Sequence, residues 1–192
     1  MKRTSLGEIV TLNPTMPRAL RSSAPTVFVP FLPMAAVSED GFARFGERRN
    51  LGSVLTGFTY FERGDVLLAK ITPCFENGKA AYLGDLPDNF GFGSTEFHVL
   101  RPGPEIDAGY LFHAVWNPTF RGSARGHMTG TAGQKRLPAD YLRRHRIVLP
   151  TLDEQRRITR ILDKAVALRR RHQLASRSAA DLHASLANRF VL

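Results

Sequence analysis

The polar side chains that stand out sit in short segments bounded by glycine or proline. Lys70 and Thr72 close an apolar run, and Pro73 stiffens its exit. Asn77 and Lys79 flank Gly78. Ser94, Thr95 and Glu96 follow Gly91-Phe92-Gly93, and Gln134, Lys135 and Arg136 follow Gly133. These residue types donate and accept hydrogen bonds from stiff backbone, which is what contact with the edge of a nucleic-acid base requires. Glutamine suits adenine, and arginine or lysine suits guanine or a phosphate. Glutamate accepts from cytosine N4, and serine or threonine bonds either kind of partner. Taken singly, each of these residues is equally a turn residue or a phosphate clamp.

Two other patterns point to catalysis. Pro87-Asp88 followed by Glu96-Phe97-His98 loosely resembles the PD…ExK arrangement, in which two carboxylates hold Mg²⁺ and a lysine orients water. Here a histidine stands in place of the lysine. Asn117-Pro118-Thr119-Phe120 resembles the NPPY-type motif that grips a flipped adenine. Its third position differs, no FxGxG-like loop precedes it, and a helix stop at Asn117-Pro118 accounts for it. A single cysteine, Cys74, excludes an internal disulfide and a cysteine-based zinc site, and fits a packed residue in a reducing cytoplasm. The six histidines form neither HxxxH nor HExxH, so no metal site is expected. The residues therefore predict no catalytic group, no metal and no cofactor.

The 192 residues suffice for one sizeable core plus an appendage, and 43% of them are hydrophobic. The net charge of +10 directs attention to phosphate, acidic protein or an anionic surface. No run of about 18 apolar residues is present to span a bilayer, and the N-terminus lacks the apolar stretch of a signal peptide.

Residues 1–150 read as one strand-rich unit, with all 12 prolines lying in it as turn punctuation. Strand-length runs are Thr26–Val29 before Pro30, Asp65–Ile71, Lys79–Leu83, Glu96–Leu100 and Arg146–Leu149. Asp107 is placed to cap a helix ending before Pro118, and a short helix is expected through Ala139–Leu142.

Residues 151–192 contain neither proline nor glycine, and Thr151 with Glu154 has the spacing of a capping box. One stripe holds Ile158, Ile161, Ala165, Leu168, His172, Ala175, Ala179, Leu182, Leu186 and Arg189, at alternating spacings of three and four. Apolar side chains at eight of these ten positions make a coiled-coil seam, from Ile158 to Leu186. A helix this long reaches roughly 55–60 Å and cannot bury its own stripe. The chain offers no second long helix, so the partner is expected to be another chain. The competing reading is a helix lying flat on its own domain.

Four blocks carry a resemblance. Phe61–Lys79 is similar to the central motif of the target recognition domains of Type I restriction–modification specificity subunits, and Gly91–Pro102 resembles the same family. Met128–Pro138 is similar to the family's late glycine-rich loop. Ile147–Ile158 resembles its junction into a spacer helix. The blocks occur in the family's order over essentially the whole chain. Full-length members carry two recognition domains and two spacer helices, whereas this sequence has one of each.

The resemblance therefore implies a half-subunit that pairs with a second copy. It implies an α+β fold, with an irregular recognition domain over 1–150 and one long coiled-coil helix over 151–192. The implied function is sequence-specific binding of double-stranded DNA in the cytoplasm, positioning a methyltransferase and, in a restricting system, a translocating nuclease. Those partners supply the S-adenosylmethionine and ATP chemistry. A magnesium-dependent nuclease and a coiled-coil adaptor that ignores DNA are the alternatives.

Overall fold

The computed structural model describes residues 2–21, 26–131 and 133–190, the last stretch without the side chains of 177, 180–184 and 186–190. The chain opens with β1 (Lys2–Ser5), α1 (Leu6–Ile9), β2 (Val10–Leu12), α2 (Arg18–Arg21), β3 (Phe28–Leu32), a 3-10 turn at Met34–Ala36, β4 (Glu47–Asn50) and α3 (Leu51–Val54). The central strands are β5 (Thr59–Glu62), β6 (Val66–Ala69), β7 (Ala80–Tyr82), β8 (Phe90–Gly93) and β9 (Phe97–Pro102). Then come α4 (Ala108–Trp116), α5 (Pro118–Arg125), α6 (Ala139–Arg144), β10 (Arg146–Leu149) and α7 (Leu152–Phe190). The result is the expected α+β architecture with a long C-terminal helix.

Two four-stranded sheets are stacked, in the orders β2-β9-β6-β7 and β4-β3-β8-β5, and β1 pairs with β10 separately. Strand β6 is apolar at every position because both of its faces are covered. Val66 and Leu68 meet Leu111, Val115 and Phe120 from the helices. Leu67 meets Leu32 and Phe61 of the second sheet. A third cluster, with Val29, Phe31, Val54 and Phe92, covers the far side of that second sheet. An arginine ties the layers at their rim. Arg101 donates to both carboxylate oxygens of the buried Asp65, at 2.8 and 2.9 Å, and to Glu62 at 2.8 Å.

Several boundaries differ from the sequence reading. The strand expected to stop before Pro30 continues through it to Leu32, and its ladder with β8 involves only Phe31 and Leu32, beyond the proline. Strand β4 is the polar tetrad Glu47-Arg48-Arg49-Asn50, whose charges suit a sheet edge. Strand β8 is Phe-Gly-Phe-Gly, and its glycines are steric requirements. A Cβ at Gly91 would lie 2.9 Å from the Pro30 carbonyl oxygen, and one at Gly93 would lie 2.5 Å from that of Leu32. Asp107 caps α4 as expected, accepting from the Tyr110 N–H. A further helix, α5, starts at Pro118, where proline is pre-set for the first turn and Asn117 accepts from the Phe120 N–H. Only half of the capping box at α7 forms. Thr151 Oγ1 accepts from the Glu154 N–H at 3.4 Å, while the Glu154 carboxylate bonds Arg157 instead.

Candidate nucleic-acid interface

Strand β6 delivers Lys70 to the sheet's end, and the backbone there gathers two other segments. The Lys70 N–H donates to the Glu96 carbonyl at 2.9 Å, and its carbonyl accepts from the Leu137 N–H at 2.8 Å. Thr72 then grips the 129–137 loop three times. Its N–H donates to the Lys135 carbonyl at 2.9 Å. Its hydroxyl donates to the Gly133 carbonyl at 3.0 Å and accepts from the Lys135 N–H at 3.1 Å. Thr129 and Arg136 exchange both backbone hydrogen bonds, at 3.0 and 2.7 Å, closing the loop. Gly130 and Gly133 turn it with φ of 127° and 81°. At Gly130 a Cβ would also meet the Gln134 carbonyl oxygen at 2.8 Å.

Segments far apart in sequence thus form one surface. Lys70, Thr72, Glu96, Gln134, Lys135 and Arg136 are brought together, with Ser94 and Thr95 alongside on the approach to β9. The side chains of Gln134 and Lys135 are exposed. Arg136 donates through Nη2 to Glu96 Oε1 at 2.8 Å and through Nε to Oε2 at 3.0 Å. That hydrogen bond holds the Glu96 carboxyl below the usual carboxylate range. Ser94 Oγ accepts from the Glu96 N–H at 3.2 Å and fixes the entry to β9.

Asn77 and Lys79 are placed elsewhere. Asn77 Nδ2 donates to Glu39 at 2.9 Å, and Lys79 Nζ donates to the Met34 carbonyl at 3.1 Å. Both bind the 34–39 segment, and the Gly78 carbonyl between them accepts from Trp116 Nε1.

Two residues beneath this surface were not anticipated in these roles. Asn13, with φ of 51°, accepts from the Val99 N–H at 2.9 Å and reaches His98 Nδ1 at 3.3 Å. His98 is buried, and its Nε2 lies 2.7 Å from the Leu137 carbonyl oxygen. The Asn13-Pro14 dipeptide was the available signal for the turn. Beside Lys70, a cavity of about 300 Å³ is lined by Asn13, Arg21, Phe58 and Tyr60, among others.

The two catalytic patterns have structural explanations. Asp88 is held by Arg48 at 2.7 Å, and Glu96 by Arg136. Among the described residues, no group of three or more His, Cys, Asp or Glu is placed to hold a metal ion. Asn117 is occupied as a cap, with Nδ2 donating to the Ala114 carbonyl at 2.8 Å.

The helical stripe is the second candidate site. Helix α7 docks on α4 through another face. The fully buried Gln155 accepts from the Asp107 N–H at 2.8 Å and donates to the carbonyls of Glu105 and Pro150 at 3.0 and 2.9 Å. Thr159 donates to Asp107 at 3.1 Å, and His113 meets Asp163 at 2.8 Å. On the stripe, Ile158 is half-buried, while Ile161 is 54% and Leu168 64% exposed. Ala165, Ala175 and Ala179 are exposed too. The side chains of Leu182 and Leu186 lie outside the described residues. Among the described residues, no helix is long and apolar enough to cross a membrane.

Residues 1–174 match the family described as the Type I restriction modification DNA specificity domain. The chain is 37% identical over 186 residues to the Type I restriction enzyme EcoAI specificity subunit of Escherichia coli, a match that takes in 95% of this chain and 31% of that protein. It is 36% identical over 185 residues to the EcoEI specificity subunit of the same organism, covering 95% of this chain and 30% of that protein. The chain therefore spans about a third of the length of these curated relatives. The crystal structure of the HsdS subunit from Thermoanaerobacter tengcongensis is similar with a TM-score of 0.70 at 21% identity, over 97% of this chain and 48% of that one. At that identity the structural likeness shows the fold.

Proposed function

The chain belongs to the Type I restriction modification DNA specificity domain family, and on that premise we propose that it reads a short double-stranded DNA sequence and holds a partner methyltransferase on it. The observation that carries this reading is the convergence of the Lys70–Thr72, Glu96 and Gly133–Leu137 segments into one polar surface on hydrogen-bonded backbone. Base readers need backbone held in this way, because a displaced donor loses its acceptor. The strand-rich part over residues 1–150 acts as the recognition unit and α7 as spacer and dimerisation helix. The chain works in the cytoplasm beside its DNA and contributes no catalytic chemistry. The methyltransferase supplies the reaction, joined in a restricting system by a translocating nuclease.

With a net charge of +10, the protein is expected to displace counterions when it binds DNA. Affinity should fall steeply as salt rises from about 50 to 200 mM. An electrophoretic shift series with the methyltransferase complex across that range tests this. Affinity that does not respond to salt would sink the reading. Gln134→Ala and Lys70→Ala should each weaken DNA binding while leaving the melting temperature unchanged. If both variants unfold, these positions are structural.

A further inference from the structure

The Arg136–Glu96 pair carries more than a salt bridge. A guanidinium has five N–H groups. Glu96 takes the Nε hydrogen and one from Nη2 with both of its carboxylate oxygens, at 3.0 and 2.8 Å. The Gln134 carbonyl takes one from Nη1 at 3.3 Å. Among the described residues, one N–H remains without a partner on each terminal nitrogen. The Arg136 side chain keeps 45% of its surface exposed, whereas Glu96 keeps 25%. The pair therefore shows its arginine to an incoming ligand and holds its carboxylate behind.

The backbone beneath the pair is fixed on both sides. The Arg136 N–H and C=O are both bonded to Thr129, and the next residue, Leu137, is bonded to Lys70. Lys70 is in turn bonded to the Glu96 carbonyl. The arginine and its carboxylate thus belong to one hydrogen-bonded circuit.

Two ligands present paired acceptors to such a fork: a guanine edge, with O6 and N7, and a phosphate. Charge separates them. The pair is net neutral, so a phosphate approaching Arg136 meets the Glu96 carboxylate beside it and gains little. A guanine edge is uncharged, needs direction more than charge, and is the commoner specific partner of arginine. A phosphate contact would be better served by a cation with no carboxylate against it, and the exposed Lys135 next door has no ion pair among the described residues.

Building on the DNA-reading proposal, we infer that Glu96 is a positioning residue that holds Arg136 toward a guanine at one position of the target, and that Glu96 itself contacts no base. The sequence reading had offered Glu96 as a cytosine acceptor. In the structure each of its oxygens accepts from Arg136, and the carboxylate is the less exposed half of the pair.

The test is selection of bound duplexes from a randomised library by the assembled methyltransferase complex, with sequencing of the bound fraction. Arg136→Ala should lower the preference for guanine at one position by about tenfold. Glu96→Ala should lower it at that same position, and the double variant should be no worse than Arg136→Ala alone. Glu96→Gln keeps the shape and one acceptor oxygen, so it should recover part of the preference. It also serves as the readable variant if Glu96→Ala does not fold. A uniform loss across all sequences for Arg136→Ala would mark a phosphate clamp and overturn the proposal. A Glu96 variant that changes a different position, or none, would overturn it equally. The wild-type control keeps the two levels apart, because a complex that selects no sequence at all defeats the DNA-reading proposal beneath.

Discussion

His98 shows how a buried residue can govern an exposed surface. Its ring touches Asn13 through Nδ1 and the Leu137 carbonyl through Nε2. A neutral ring with its proton on Nε2 satisfies both contacts, donating to the carbonyl and accepting from the Asn13 amide. Burial holds the imidazole below its ordinary value. Acid would place a second proton on Nδ1, facing an amide that has only hydrogens to offer. Leu137 anchors the proposed DNA-reading loop to Lys70, and its carbonyl is held by the neutral ring. The sign follows from linkage. Below about 6.5 the unfolded chain takes the proton, while the folded ring resists it until a lower pH. The unfolded state then binds more protons, and stability falls as pH falls across that window. Melting temperatures recorded between pH 7 and 5 should decline in the wild type and decline less in His98→Gln. An unchanged slope would move the effect to His145, whose imidazole burial also holds down.

At the scale of elements, one buried side chain makes three of the hydrogen bonds that seat α7 beside α4. Gln155 satisfies the Asp107 N–H and the carbonyls of Glu105 and Pro150. Gln155→Ala strands all three in a buried place, where each orphaned group costs about 1–3 kcal/mol before relaxation or entry of water. A loss of about 2–3 kcal/mol in urea unfolding is expected, with faster hydrogen exchange in the first turns of α7. A loss under about 0.5 kcal/mol would show that the helix is seated by other contacts. This clamp was hidden in the sequence, because a glutamine at a helix start carries no mark of its partners. Elements built on apolar runs or clear caps were legible: β6, β7, β9, β10, α4, α6 and α7. Strand β4 was not, since an edge strand can be wholly polar, and β8 was not, since its glycines read as a turn. The polar loops were found as separate segments, but which residues meet was not. Arg136 and Glu96 are 40 positions apart, and nothing local announces their pairing. Lys79 looked equivalent to Lys70, yet its ammonium is drawn to the Met34 carbonyl.

For the whole molecule, the exposed apolar stripe of α7 calls for a cover. Docking on α4 uses Gln155, Thr159 and Asp163, which leaves Ile161 and Leu168 largely in water. The proposed occupant is the same stripe of a second copy. Over 39 residues at about 1.5 Å each, the helix reaches roughly 58 Å. Antiparallel pairing, the arrangement implied by the resemblance to full-length subunits, creates a two-fold axis across that rod and sets one recognition unit at each end. Identical readers related by such an axis must read the same bases on opposite strands. The target should therefore be a palindrome interrupted by several unread base pairs, with the helix length setting the gap. Ile161→Glu with Leu168→Glu isolates the pairing. Both positions are exposed in the single chain, so the monomer's fold should change by no more than about 0.5 kcal/mol. In the pair, each substitution would bury an unpaired charge. Sedimentation should show dimers for the wild type and monomers for the double variant at equal thermal stability. The DNA-level consequence is read by methylome sequencing of cells in which this chain is the sole specificity subunit. A gapped palindrome is expected in the wild type, and its methylation should be lost in the double variant. A continuous or asymmetric methylated motif would overturn the homodimer while leaving the reading of DNA by each unit intact.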